Sequence, residues 1–76
     1  MNARDALLSV EEVIRALGNE KVIYSFYLEF GRRLEVLRLV EEYCERGSRV
    51  LDVGASPFIT SCALKKMGYE VVALDV

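Results

Sequence analysis

A chain of 76 residues, 53% hydrophobic and 29% charged, is long enough for one small domain and too rich in core-forming side chains to be a disordered tail. Its net charge of −2 argues against a nucleic-acid or anionic-membrane surface, because either would need clustered basic residues. The chain has no histidine, and Cys44 and Cys62 lack C-x-x-C spacing, so neither a zinc site nor a disulfide framework is expected. The sequence predicts a cytoplasmic protein without a membrane span.

The first predicted helix begins at Ser9 and ends at Gly18. Ser9 and Glu12 have the spacing of a capping box, in which a serine side chain and a glutamate side chain cap each other's backbone N–H groups. Gly18 follows the last apolar residue of the helical pattern and is the expected terminator. The residues before Ser9 are compatible with a frayed turn or with additional helix.

A second, longer helix is predicted from Asn19 to Arg46. Asn19 is a suitable N-cap, and Gly47 is a suitable terminator. The segment 22–30 is β-branched and aromatic enough to favour a strand by propensity, but its apolar spacing continues through Gly31 into a clear helical pattern. We therefore expect one helix with a kink near Gly31.

The last third of the chain has a strand–helix–strand pattern. A strand is predicted over Arg49–Val53, a helix over Pro57–Met67 with Ser56 as N-cap, and a second strand over Glu70–Leu74. Two apolar strands joined by one helix indicate a parallel pair. The predicted fold class is α/β, with a helical N-terminal segment (1–47) followed by the first β-α-β unit (48–76) of a larger, Rossmann-like sheet that this chain contains only in part.

Five residues at the ends of these strands form a candidate cofactor site. Asp52, Gly54, Ala55 and Ser56 follow the first strand, and Asp75 follows the second. Ligands of open α/β sheets bind beyond the carboxyl ends of the strands, where glycine permits close approach and a helix N-terminus offers N–H groups. Asp75 lies 21 positions after Gly54, the distance at which an acid can accept hydrogen bonds from a ribose diol.

Two cofactor classes fit this arrangement, and the residue types favour one of them. The G-x-G-x-x-G fingerprint of dinucleotide sites is present only at its first position, since Ser56 and Ile59 replace the other two glycines. Asp52 would lie unfavourably close to a pyrophosphate, whereas a carboxylate suits a ligand with an ammonium and a sulfonium. This pattern favours S-adenosylmethionine over NAD.

The segments V-L-D-V-G-A-S-P-F and K-K-M-G-Y-E-V-V-A-L-D-V resemble the first two cofactor-binding motifs of class I S-adenosylmethionine-dependent methyltransferases. The resemblance implies a Rossmann-like sheet with helices on both faces. It implies that Asp52, Gly54, Ala55 and Ser56 surround the methionine part of the cofactor and that Asp75 holds the ribose hydroxyls. Ser56 stands where the family commonly has a second glycine.

The resemblance also implies later strands that would supply adenine contacts, the acceptor pocket and any general base. Those elements are not in this sequence, so we expect a cofactor-binding, N-terminal part of a methyltransferase that is inactive alone, with no catalytic residue of its own.

Two alternatives remain open at this stage. One is an NAD-binding half-domain. The other is a non-catalytic interaction module that forms a homo-oligomer, or completes another chain's sheet, through the exposed edge of the second strand.

A group of side chains outside the motifs has two possible roles. Tyr24, Tyr27 and Phe30 are expected mainly in the core, although they could cover an adenine. Arg32 or Arg33 could meet a carboxylate. With both strands nearly wholly apolar and only part of the sheet covered, we also expect marginal stability and self-association.

Overall fold

The computed structural model describes residues 1–75 and is an α/β structure. The described residues form four helices and one pair of parallel strands, listed in chain order as α1 (Ala3–Leu17), α2 (Glu20–Leu28), α3 (Phe30–Tyr43), β1 (Arg49–Val53), α4 (Ile59–Lys66) and β2 (Glu70–Leu74). Within this part of the chain, no helix combines the length and the apolarity that crossing a bilayer requires.

Of the two alternatives for the residues before Ser9, additional helix is confirmed, and Ser9 as the start of the first helix is wrong, because α1 begins at Ala3. Asn2 is the N-cap, and its side-chain oxygen accepts a hydrogen bond of 2.8 Å from the N–H of Asp5. Ser9 lies inside the helix, where its hydroxyl donates to the carbonyl of Ala6. The predicted end is confirmed, since Gly18 adopts the left-handed conformation with φ of 72°.

The single long helix predicted after Asn19 is two helices in the structure. Asn19 caps α2 as predicted, accepting hydrogen bonds from the backbone N–H groups of Lys21 and Val22. The break falls at Glu29, two residues before the predicted kink at Gly31. The backbone of Glu29 leaves helical geometry, with φ of −105° and ψ of 13°, and starts α3 directly.

Helix α3 ends at Tyr43, three residues before the predicted end at Arg46. Cys44 is extended, and its carbonyl accepts a hydrogen bond of 2.9 Å from the hydroxyl of Tyr69. Gly47, predicted as the helix terminator, instead lies in the turn that leads to β1, with φ of 88°. A tertiary contact with a residue 25 positions away therefore accompanies the early end, which local sequence could not indicate.

The two strands have the predicted bounds and the predicted parallel orientation. Their register pairs Arg49 with Glu70 at one end and Val53 with Leu74 at the other. The carboxyl ends of both strands therefore meet at one edge of the sheet.

The core lies between the helices and one face of this sheet. Its buried members come from both the helical segment and the strand–helix–strand unit: Ala3, Ala6, Leu7, Val10, Ile14, Phe26, Leu37, Ile59, Ala63, Leu64, Met67 and Tyr69. Val50 and Val71 pack against this core from the sheet. Nothing in the described part of the chain covers the opposite face of the sheet, which we call the bare face. Four apolar side chains of the two strands are exposed there: Leu51, Val53, Val72 and Leu74.

Candidate functional site

A polar pocket of about 290 Å³ lies at the carboxyl end of β1. We call it the carboxyl-edge pocket. Residues from α3, from the segment joining α2 to α3, from β1, from the loop after β1 and from α4 line it: Glu29, Arg32, Arg33, Val36, Asp52, Val53, Gly54, Ala55, Ser56 and Thr60. The predicted site is therefore a concave surface with charges of both signs.

The structure brings four of the five predicted site residues together around this pocket. They are Asp52, Gly54, Ala55 and Ser56, of which Ala55 is buried and Asp52 half-buried. Asp75 is exposed and is not part of the pocket lining. It directly follows the end of β2 at the same edge of the sheet.

The loop after β1 is tied to the end of β2 by its backbone. The carbonyl of Leu74 accepts hydrogen bonds from the N–H groups of Gly54, at 2.7 Å, and of Ala55, at 3.0 Å. These two N–H groups are therefore engaged by the protein itself. Gly54 has φ of 70°, in the left-handed region that glycine adopts without the steric cost of a side chain.

Ser56 is not the N-cap of the following helix, which corrects the prediction. Helix α4 begins at Ile59, and its N-cap is Phe58 with φ of 67° and no side-chain capping bond. The N–H of Phe58 donates to the carbonyl of Ala55, so a tight turn occupies the residues predicted as the first helical turn. The N–H groups that α4 leaves unpaired start two residues later than the sequence indicated.

Asp52 is held by a residue that sequence analysis did not single out. The hydroxyl of Ser61 on α4 donates a hydrogen bond of 2.6 Å to Oδ2 of Asp52. Ser61 is 7% exposed, so the bond is largely shielded from water. This contact fixes the carboxylate of Asp52 at the pocket.

The opposite wall of the carboxyl-edge pocket is cationic. Glu29 pairs with Arg32 through Oε1 and with Arg33 through Oε2, both at 3.1 Å. Arg33 also donates to the hydroxyls of Ser25 and Thr60. These bonds join α2, α3 and α4 at the pocket.

Arg33 is largely removed from solvent, with 11% of its side chain exposed. Burial lowers the pKa of its guanidinium from the ordinary value, while the charges of Glu29 and Asp52 act to raise the pKa and Arg32 lowers it further. A guanidinium stays protonated at neutral pH despite such shifts. The pocket thus contains a largely buried positive charge on Arg33, and the negative charge of Asp52 stabilises it.

The chain resembles one curated protein over about half of its length. It is 46% identical over 39 residues to the ribosomal protein L11 methyltransferase of Campylobacter hominis, a stretch that is 51% of this chain and 13% of that protein. Over this stretch the chain is similar to a methyltransferase. No family model and no solved structure matches the chain.

The aromatic residues considered as adenine contacts do not line the carboxyl-edge pocket. Phe30 and Tyr27 each make an edge-to-face contact with the buried Phe26. The hydroxyl of Tyr27 also accepts a hydrogen bond from Arg15, and Tyr24 is exposed. The expected core position is therefore wrong for Tyr24 and Tyr27, which are 69% and 45% exposed, whereas Phe30 packs against the core.

A second, larger cavity of about 360 Å³ lies between α1 and the start of α4. Its lining is almost entirely apolar: Val10, Val13, Ile14, Leu17, Asn19, Val22, Pro57, Phe58, Ile59 and Cys62. It contains no charged side chain that could pair with an ionic ligand. We therefore place the candidate site at the smaller, charged pocket.

Proposed function

We propose that this chain is the S-adenosylmethionine-binding, N-terminal part of a class I methyltransferase with a Rossmann-like sheet. The observation that carries the proposal is the carboxyl-edge pocket, which Asp52, Gly54, Ala55 and Ser56 line at the ends of parallel strands. This is where open α/β sheets bind their ligands. The partial similarity to a methyltransferase supports the same reading.

In this proposal the methionine part of the cofactor is surrounded by Gly54, Ala55 and Ser56. Asp75 accepts hydrogen bonds from the ribose hydroxyls. Asp52 offers a carboxylate to the positive charges of the ligand. The pocket fits S-adenosylmethionine because a fixed carboxylate and two arginines line the same pocket, and the methionine part of this cofactor carries charges of both signs. When bound, the cofactor would supply a methyl group activated by its sulfonium.

The proposal extends to cofactor binding and not to methyl transfer by the 76 residues alone. Transfer depends on holding a nucleophile in line with the sulfonium, and we propose no residue of this chain for the methyl-acceptor side of such a site. We propose residues 1–47 as the helical lead-in and 48–76 as the cofactor-binding unit. We also propose a cytoplasmic location, with which the free thiols of Cys44 and Cys62 are compatible.

Titration calorimetry with S-adenosylhomocysteine tests this function. We expect saturable binding by the parent chain and a loss of about tenfold or more in Asp75→Ala, since hydrogen bonds to a charged group are strong. Glu70→Ala is the matched control, because Glu70 is an exposed acid at the amino end of the same strand. NAD should give no heat, since Asp52 would oppose its pyrophosphate.

Absence of binding by a chain shown to be folded by circular dichroism would overturn the proposal. So would equal losses in Asp75→Ala and Glu70→Ala, because the effect would then not belong to the carboxyl edge. Selective binding of NAD would instead support the dinucleotide alternative.

A second candidate function is favoured by the bare face of the sheet. Four exposed apolar side chains on two neighbouring strands are a surface suited to association, either between copies or with another chain. A mass that depends on concentration, together with no response to S-adenosylhomocysteine, would favour this interaction module over the cofactor-binding unit.

A further inference from the structure

The charges of the carboxyl-edge pocket are complementary to an α-amino acid. Arg32 and Arg33 on α3 form one wall, and Asp52 at the end of β1 forms another. An α-amino acid carries an ammonium and a carboxylate on neighbouring atoms, so it can pair with both walls at once. Neither wall alone would select such a zwitterion.

We propose that Arg32 binds the α-carboxylate of the ligand while Asp52 binds its α-ammonium. This inference rests on the proposed function, because the methionine part of S-adenosylmethionine is the amino acid in question. It assigns a specificity role to a helix outside the two sequence motifs.

Arg32 is available for a ligand. Its side chain is 73% exposed, and within residues 1–75 it makes one ion pair, between its Nη2 and Oε1 of Glu29 at 3.1 Å. An exposed ion pair of this kind contributes little to stability. A guanidinium has five N–H donors in a planar fork, so it can bind a carboxylate through two parallel hydrogen bonds. Arg32 can therefore bind a ligand carboxylate either in place of Glu29 or together with it.

Asp52 has one carboxylate oxygen that can bind a cation. Ser61 occupies Oδ2, and among residues 1–75 no side-chain donor bonds Oδ1. The hydroxyl of Ser61 therefore fixes the carboxylate and leaves one oxygen for an ammonium.

Arg33 holds the cationic wall in place through its hydrogen bonds. Its guanidinium is anchored to Ser25, Glu29 and Thr60, and this anchoring holds Glu29 beside Arg32. Its Nε is buried and has no acceptor among the described residues. Such orphaned donors are rare in folded proteins.

A pair of ligands separates amino-acid recognition from adenosine recognition. S-adenosylhomocysteine carries the α-amino acid, and 5′-methylthioadenosine has the same adenosine and thioether without it. Binding of both is measured by calorimetry to the parent chain, to Arg32→Gln, to Arg32→Lys and to Arg38→Gln. Arg38 is the control because it is an exposed arginine of the same helix outside the pocket lining.

We expect Arg32→Gln to weaken S-adenosylhomocysteine by about tenfold or more and to leave 5′-methylthioadenosine unchanged. Arg32→Lys should recover part of the loss, since it restores the charge without the bidentate geometry. Arg38→Gln should resemble the parent for both ligands.

Two results would overturn the inference while the proposed function stands. One is parent-like binding of S-adenosylhomocysteine by Arg32→Gln, and the other is an equal loss for both ligands. If the folded parent chain binds neither ligand, the proposed function fails first, and the inference fails with it.

Discussion

The two faces of the sheet differ sharply although they come from the same two strands. On one face Val50 and Val71 pack against the helical core, and Asp52 is bonded to Ser61 of α4. On the other face, the register pairs Leu51 with Val72 and Val53 with Leu74, and all four side chains are exposed. The exposed fractions of Leu51 and Val53 are 59% and 61%, which are high for large apolar residues in a strand.

The two faces therefore have different roles: residues of the covered face stabilise the fold, and residues of the bare face are available to contact another molecule. Parallel sheets usually occur with both faces covered, and their strands are then apolar on both sides. Here the strand composition is that of a sheet covered on both faces, but the described helices cover one. We therefore expect the covered face to determine stability and the bare face to determine association.

The largest effect is expected from removing a leucine beneath the covered face. Leu64 on α4 is 2% exposed, and Leu64→Ala should lower the free energy of unfolding by about 2–5 kcal/mol through lost burial and a residual cavity. A chain of this length has a total stability of about 4–11 kcal/mol. Urea unfolding followed by circular dichroism measures the change.

Leu51→Ala is the matched control, since it removes the same atoms from the bare face. It should change the free energy of unfolding by about 0.5 kcal/mol or less, the range typical of surface substitutions. If Leu64→Ala and Leu51→Ala lowered the free energy of unfolding by similar amounts, the covered face would not determine stability and the prediction would be wrong.

An intermediate effect is expected at the bond between Ser61 and Asp52. Ser61→Ala leaves Oδ2 of the half-buried carboxylate without its protein donor, and should lower stability by about 1 kcal/mol. Ser56→Ala is the control because Ser56 caps no helix, and it should stay within about 0.5 kcal/mol. A larger loss in Ser56→Ala than in Ser61→Ala would restore the capping role that the sequence suggested.

The elements that the sequence predicted well depend on residues close together in the chain. The strand bounds, the N-cap at Asn19 and the end of α1 at Gly18 follow from apolar runs and from single residues with strong positional preferences. The capping predictions at Ser9 and Ser56 were wrong because a serine hydroxyl can also bond the backbone inside a helix, as Ser9 does with Ala6, and because serine is common in turns.

The composition of the pocket was predictable only in part. The loop after β1 could be found from Gly54 and from the acid at the end of the strand, Asp52, because these residues lie two positions apart. The cationic wall could not be placed there, since Arg33 and Thr60 are 27 positions apart and meet only through the packing of α3 near α4. The sequence suggested that Arg32 or Arg33 might meet a carboxylate, but not which elements would surround them.

The smallest effect on stability, and the largest on association, is expected on the bare face itself. The double variant Leu51→Thr with Val72→Thr makes two register partners polar, and threonine is β-branched and suits a strand. Its free energy of unfolding should stay within about 0.5 kcal/mol of the parent. Sedimentation over a range of concentrations should show the parent chain self-associating and the variant remaining monomeric to higher concentration.

The control for that experiment is Leu28→Thr with Leu39→Thr, which removes two exposed apolar side chains from α2 and α3 instead. If self-association arose from general exposure of apolar surface, both double variants would weaken it equally. If it arises from the bare face, only the strand variant should do so, because two neighbouring strands present their apolar side chains in one contiguous patch and the two helical leucines lie on separate helices. Unchanged association in the strand variant would move the contact to the unpaired edge of β2, where backbone groups rather than side chains mediate strand addition.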